Sequence, residues 1–577
     1  MFGHRMTYFA NVNPDLLRFI PLTAARVLEI GCGEGALAAE YRRRNPKAEY
    51  IAIETHGPSA SRAAEHATRL IEGDFEAMDD AEIADLGRFD AIVMGDVLEH
   101  MADPDHVLSR LHVLLAADGH LILSVPNVAH WSALFHLMNG RWPSEDSGLF
   151  DRTHLRFFTL HSLKGLLART GFAMVKGLPR QFLLDKDKAS SWIPALADLA
   201  ERMGLNREDF VRRASALQYV IVGQKADRPA QELMHLRTAV FAPAILEART
   251  NLPADYLDSV PGLLSSKDLR TLNLPKLPAA TPKIVIVQRH VPVNEARWME
   301  WLIPTMRAGW VVVSEWDDHP DLIAEATGAE RDAMWTTIRL AHAVQTSTDA
   351  LAAAFRAENA EVAPFANAAF TLGPAPERKV TPPRVFFGAA NREAFSTPVA
   401  RSFAALLAAH PEIQFEVVHD RAFFEALPTA SKTFHPTLPY ADYLKVMESC
   451  DIALLPLEGR NSELFKSDIK YVEAGSRGLA VIASPATYGE TIEHGVTGLI
   501  ADDIDAWAPA LLRLIDEPVL RHTLASDAWR EVRDHRMFAD QIGERHRWYA
   551  DLWRRRKELH RDLLARNPEL ARLSPSV

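Results

Sequence analysis

An acid and three alternating glycines stand in the stretch VLEIGCGEGALAAEY: Glu29, then Gly31, Gly33 and Gly35. Glycine at a strand-to-helix turn lets backbone N–H groups approach a ligand closely, next to a helix N-terminus. No lysine or arginine lies between Leu28 and Tyr41 to meet a phosphate. Backbone donors with carboxylates therefore suit a ligand without phosphate. The competing reading is a tight packing turn of an α/β sheet. Glu54 closes the next apolar run, where an acid commonly takes ribose hydroxyls. Gly73, Asp74 and Phe75 follow, and then GDVLEH, with Asp96 and His100. His154, in FDRTHLRFF, is a candidate general base because imidazole titrates near neutrality, and His100 is a second. Either histidine could equally order its own loop. Asp151 and Arg152 read as well as a structural pair as they do as substrate ligands.

A second chemical stretch, KSDIKYVEAGSRGLAVIASP, begins at Lys466. Spacings of i, i+4 and i+7 put Lys466, Lys470 and Glu473 on one face of a helix, with Ser467 and Asp468 as caps. A helix start bearing lysines can hold a diphosphate, and a carboxylate one turn on can take ribose hydroxyls. The competing reading is a solvated helix with ordinary ion pairs. Gly388, after RVFFGA begins, allows close approach, and Arg392 can reach a diphosphate from the facing loop. His290 in QRH and Asp317 in WDDHPD end apolar runs and are candidate site residues, against a plain strand-end hydrogen-bonding role.

These residues need sheets to hold them. Strands are expected over 27–30, 50–54, 90–94, 120–125 and 217–223, with helices over 36–44, 58–67, 105–115 and 160–170 between them. That alternation predicts a parallel, doubly wound sheet. Prolines then cluster from Pro229 to Pro282, placing a boundary near Arg228. Two further alternating regions begin at KIVIVQRH and at PRVFFGAANREAF. The expected domains are 1–228, 229–376 and 377–540, then a C-terminal helix over 541–577. Residues 181–214 read as a helical cover over an acceptor pocket, with Trp192 as core. The fold class is α/β, three Rossmann-like units in series.

Composition excludes several classes. With 577 residues, 48% hydrophobic and 24% charged, the chain can bury several cores. A net charge of −12 speaks against general nucleic-acid binding. Two cysteines, Cys32 and Cys450, are too few for a disulfide framework or a thiolate metal site, so no metal is expected. No secretory h-region or membrane-length apolar run is visible, which predicts a cytoplasmic protein. From Gln541 onward nine Lys and Arg stand against five Asp and Glu, so contact with the inner face of a membrane is an alternative to a closing helix packed on the protein. Oligomeric state is not legible.

The residues from about 20 to 226 resemble the class I S-adenosylmethionine-dependent methyltransferases, in the branch of the ubiquinone-biosynthesis enzymes. The resemblance implies that Glu29, Gly31, Gly33 and Gly35 hold the methionine part of S-adenosyl-L-methionine, and that Glu54 takes the ribose. It further implies Asp74 at the adenine amino group, Phe75 beside the ring and Asp96 at the cofactor's edge. The KSDIK segment resembles the nucleotide-sugar domain of GT-B glycosyltransferases, with Glu473 as the ribose-binding second glutamate. Phe465 stands where that family carries its first glutamate, which contacts the donor sugar, and Ala480 replaces a proline. The expectation is a bifunctional enzyme: a class I methyltransferase followed by a two-domain GT-B glycosyltransferase using a nucleotide-diphosphate sugar and a glycan or glycoconjugate acceptor. A methyltransferase-like domain that binds but does not react, and a nucleotide-binding scaffold, are the alternatives.

Overall fold

The computed structural model describes residues 12–181, 186–229, 232–241, 247–377, 382–389 and 392–573. The chain forms two compact units that meet in sequence at Gln231 and Glu232.

The first unit is built on β1 (Arg26–Ile30), β2 (Glu49–Glu54), β3 (Arg69–Glu72), β4 (Phe89–Gly95), β5 (Leu115–Pro126), β6 (Phe172–Arg180) and β7 (Gln218–Lys225). Their order across the sheet is β3-β2-β1-β4-β5-β7-β6. Central strands such as β1 and β2 are apolar on both faces because helices cover both, as a parallel sheet requires. The expected strands are present, but the sheet is not all parallel. β7 runs antiparallel to both β5 and β6, pairing Leu121 with Gly223 and Phe172 with Lys225. Alternation of strands and helices does not encode the direction of the last strand, which enters after two helices, Lys186–Arg202 and Arg207–Ser215. These helices are the predicted cover, with Trp192 edge-on to Phe135 at 4.6 Å between centroids; residues 182–185 of that segment lie outside the described residues.

The second unit holds two parallel sheets. The first contains β8 (Met234–Val240), β9 (Leu263–Leu269), β10 (Lys283–Gln288), β11 (Val311–Glu315), β12 (Ala343–Thr346) and β13 (Val362–Pro364), ordered β13-β12-β11-β10-β8-β9. The second contains β14 (Arg384–Gly388), β15 (Gln414–Val418), β16 (Lys432–His435), β17 (Ile452–Leu455), β18 (Ala480–Ala483) and β19 (Leu499–Ile500), ordered β16-β15-β14-β17-β18-β19. Helices Phe538–Arg554, Arg556–Arg566 and Pro568–Leu573 then return to the earlier sheet. Leu563 and Leu570 enter the core of Trp298 and Trp310, and Tyr549 donates to Gln345 at 2.8 Å. Trp548 lies against Phe365, 5.4 Å between centroids. Much of the apolar side of these helices is thus spent on protein contacts, as a closing helix packed on the protein requires. Among the described residues no helix is long and apolar enough to cross a membrane.

Candidate functional sites

At the end of β1 the chain turns through Gly31, Gly33 and Gly35 at φ of +71°, +56° and +79°. Side chains disfavour this left-handed region, and packing forbids them at two of the three positions. A Cβ on Gly31 would lie 2.5 Å from Val97 Cγ2, and one on Gly35 would lie 2.9 Å from Ala63 Cα. Glu54, buried at the end of β2, closes the loop. Its Oε2 accepts the Gly33 N–H at 2.8 Å and its Oε1 the His56 N–H at 2.9 Å. A carboxylate has about four lone-pair sites, so Glu54 retains acceptor capacity for a diol. Behind it, Tyr50 donates to Glu29 Oε2 at 2.8 Å. Burial, assisted by the charge of Glu54 and opposed by the Tyr50 hydrogen bond, pushes the Glu29 carboxyl up to about 8.

Asp74 is exposed and can face a ligand. Phe75 cannot: only 1% exposed, it packs in the core with Leu28, Met94 and Leu98. Its ring is therefore spent on the core rather than presented at the flank of a ligand. Asp96 adopts φ +55° just beyond β4. Its Oδ1 accepts from Ser124 Oγ at 2.9 Å and from Gln218 Nε2, and burial raises its carboxyl despite these donors. Gln218 opens β7 and is in turn held by Arg180 at 2.6 Å.

His100 and His154, 54 residues apart in sequence, come together at 4.8 Å between ring centroids. His154 Nδ1 lies 3.2 Å from the Leu149 carbonyl, which fixes the proton on Nδ1 and leaves the Nε2 lone pair 3.9 Å from Glu99 Oε1. Glu99 was not singled out in the sequence. It is 1% exposed, and both carboxylate oxygens are buried without a hydrogen-bond partner. Burial, then the charge of Asp96, raises the Glu99 carboxyl well above its ordinary range. Burial, then His100, lowers the imidazolium of His154. Glu99, His100 and His154 offer ligand atoms within 4.8 Å of one another, so they could share protons or close on a cation. The expectation of no metal considered thiolates only and did not foresee this carboxylate–imidazole group. Asp151 instead takes the Thr153 N–H and hydroxyl, and Arg152 pairs with Asp146, so these two do not pair with each other.

In the second unit, Gly388 ends β14 where a Cβ would meet Tyr443 Cε2 at 2.9 Å. Tyr443 thereby reaches Glu473, donating to its Oε2 at 3.2 Å, while Lys470 Nζ sits 3.0 Å from the same oxygen and 2.9 Å from the phenol oxygen. Burial and the Glu473 charge push the Tyr443 phenol well above its ordinary value. Arg392, donating to the Pro456 carbonyl at 3.2 Å, adds positive charge near that phenol. Gly388, Arg392, Lys470 and Glu473 thus converge, with Tyr443 as a member that no sequence motif exposed.

Lys466 and Ser467 do not join them on a helix face. The helix is Ile469–Ser476, so Lys466 precedes it in extended conformation. Ser467 is engaged by Asn367, and Asp468, at the N-cap, accepts no capping bond but pairs with Arg536 at 2.7 Å. The local pattern suggested caps, and tertiary partners from the linker and the C-terminal helices took them instead. Phe465 packs across the unit onto His319, 4.5 Å between ring centroids. His290 stands against Phe241 and Trp298 at 4.3 and 5.5 Å, and burial lowers it to about 4. Asp317 faces Arg289 at 3.4 Å. Neither His290 nor Asp317 meets the Lys470–Glu473 group through a described contact.

Residues 2–176 match a family model for a methyltransferase domain, and residues 385–517 match one for glycosyl transferases group 1. The chain joins a methyltransferase domain to a group 1 glycosyltransferase domain. The methyltransferase domain is 29% identical over 184 residues to malonyl-[acyl-carrier protein] O-methyltransferase of Geobacter sulfurreducens, covering 31% of this chain and 66% of that protein. It is 30% identical to ubiquinone biosynthesis O-methyltransferase of Alkalilimnicola ehrlichii, covering 23% and 56%. The chain thus spans about half to two thirds of the length of these relatives. Among solved structures, Anabaena Alr3699/HepE with UDP-glucose aligns at TM-score 0.38 and 14% identity over 55% of this chain and 98% of that one. A TehB-like SAM-dependent methyltransferase from Corynebacterium glutamicum aligns at TM-score 0.25 and 17% identity over 39% and 96%. The fold is that expected: a class I methyltransferase domain followed by a GT-B glycosyltransferase pair.

Proposed function

We propose that the chain is a bifunctional transferase, moving a methyl group from S-adenosyl-L-methionine to an oxygen and a glycosyl group from a nucleotide-diphosphate sugar to a glycan or glycoconjugate. One shared observation carries both halves. Each domain places a buried carboxylate near the carboxyl edge of its sheet, Glu54 on the N–H groups of Gly33 and His56, and Glu473 on Lys470 and Tyr443. Each keeps lone pairs for a ribose, and that edge is where open α/β sheets bind nucleotides.

When bound, S-adenosyl-L-methionine supplies an electrophilic methyl on a cationic sulfur. The residues present fit it: Glu29, Glu54 and Asp96 line the turn without a basic residue in the loop. Transfer to oxygen, in keeping with the names of the relatives, requires a hydroxyl to lose its proton. His154 Nε2, neutral and beside Glu99, would take it, with the Leu149 carbonyl orienting the imidazole through Nδ1. In the second domain Arg392 supplies charge for a diphosphate beside Tyr443, while Lys470 is already committed to Glu473. Joining both activities in one chain supports a common product such as a bacterial surface polysaccharide, by juxtaposition alone.

The test incubates the full chain with S-adenosyl-L-methionine and, separately, with a panel of nucleotide sugars, reading S-adenosyl-L-homocysteine and free nucleoside diphosphate. Binding of both ligands with release of neither product would favour the non-catalytic alternatives. Unaltered ligand binding by Glu54→Ala and Glu473→Gln would refute both sites.

A further inference from the structure

Beyond β10 the chain passes Arg289, in the left-handed region at φ +48°, and runs through His290, Val291, Pro292 and Val293 into helix Glu295–Arg307. A cavity of about 310 Å³ opens here, lined by Leu272, His290, the Val291–Pro292–Val293 segment and the two indoles Trp298 and Trp301. That volume is at the lower end for small-ligand sites.

Its wall is apolar by arrangement as well as by composition. The Trp301 indole N–H is used on the Leu272 carbonyl at 3.0 Å, and that of Trp298 on the Leu340 carbonyl at 3.1 Å. Both rings are fixed, and both have used their polar atom elsewhere. Arg297, also at the rim, turns to Glu300 at 2.8 Å. Besides Arg297, His290 is the polar side chain among the described lining residues, its ring tilted by 44° against Phe241 at 4.3 Å. At the mouth, Val291 is 38% and Val293 is 85% exposed, so the apolar path continues out of the cavity. A valine so exposed beside an open apolar cavity is a candidate contact for a ligand longer than the cavity.

The position matters too. The cavity lies at the carboxyl edge of the sheet containing β10 and β11. His319, just beyond β11 on the same edge, touches Phe465 of the nucleotide-binding half. The cavity therefore shares an edge with the place where the two halves of this unit meet.

We propose that this cavity holds the alkyl chain of an amphiphilic glycosyl acceptor, with His290 at the polar end of the chain where the accepting hydroxyl begins. The inference rests on the glycosyltransferase reading and narrows its acceptor from any glycan to a lipid-linked one. An aryl group would fill the cavity but leave Val293 uncovered; a chain runs past it.

The test uses the full chain and three uncharged probes, n-octyl β-D-glucoside below its micelle concentration, phenyl β-D-glucoside and methyl β-D-glucoside. Binding is read by calorimetry. The octyl glycoside should bind at least 10-fold more tightly than the methyl glycoside, and Val293→Asp should remove that advantage. Val293 is exposed, so this variant should fold; its thermal midpoint and its nucleoside diphosphate affinity should match the parent. Equal binding of octyl and methyl glycosides would overturn the proposal. So would a phenyl glycoside that binds best, or octyl binding that survives Val293→Asp. Loss of nucleoside diphosphate binding in the parent would strike the glycosyltransferase reading instead, and is scored separately.

Discussion

Glu29 offers a quantitative test of how the cofactor loop is built. It is 5% exposed beneath the glycine turn, and its carboxyl is pushed from 4.5 to about 8, mainly by burial. Between those values the folded chain keeps a proton that the unfolded chain has lost. Folded protein then binds more protons, so stability falls as pH rises through this window. At pH 7 the penalty is about 3 kcal/mol, at 1.36 kcal/mol for each unit between 4.5 and 7. Glu29→Gln removes the titration, while its amide oxygen can still accept from Tyr50. The variant should gain about 3 kcal/mol over the parent at pH 7 and nothing at pH 4.5. For a unit of this size that is roughly 6–12 °C in Tm. Scanning fluorimetry of the full chain, following the transition raised by S-adenosyl-L-homocysteine, reads it. A Tm difference that does not change with pH would refute the assignment of a neutral, buried Glu29.

His154→Ala should lower methyl transfer by roughly 10²–10⁴-fold with S-adenosyl-L-homocysteine affinity nearly unchanged, read by initial rates and calorimetry. Gly35→Ala should lose both folding stability and cofactor binding, since its Cβ would meet backbone at Ala63 in the left-handed region; circular dichroism melts with parent-like stability would count against this. Glu473→Gln should weaken nucleoside diphosphate binding by about 10- to 150-fold, the worth of one charge-assisted hydrogen bond, and unchanged calorimetric affinity would remove this group from the site. Exhaustive treatment with a chelator should leave S-adenosyl-L-homocysteine affinity intact, because the glycine turn shares no residue with the Glu99–His100–His154 group.

What the sequence made legible was local. Glycines 31, 33 and 35 needed positive φ, and the alternation of apolar runs placed most strands. The pairing of Lys470 with Glu473 followed from helical spacing. What stayed hidden was set by distant partners. Glu99 reads as an ordinary surface acid until residues 149–156 cover it, its backbone carbonyl receiving the N–H groups of Leu155 and Arg156. Tyr443 has no motif, and only its approach to Gly388 brings it to Glu473. Asp468 looked like a cap because capping is local, whereas Arg536 arrives from 68 residues away. Phe75 illustrates the reverse, a residue assigned by resemblance whose own burial decides otherwise.

The antiparallel strand β7 has a consequence for how the first unit is made. It wedges between β5 and β6 and brings Gln218 to Asp96, 122 residues earlier. During synthesis from the N-terminus, the sheet can close only after residue 225 has left the ribosome, so contacts of long sequence separation form last. A ribosome paused before that strand would carry a chain with β5 and β6 as unpaired neighbours and Asp96 short of a donor. Completion of the proposed methyl-transfer site and closure of the sheet are therefore one event. It precedes the folding of the second unit, whose strands leave the ribosome later, and a stop between 215 and 218 should give aggregation rather than a smaller, active enzyme.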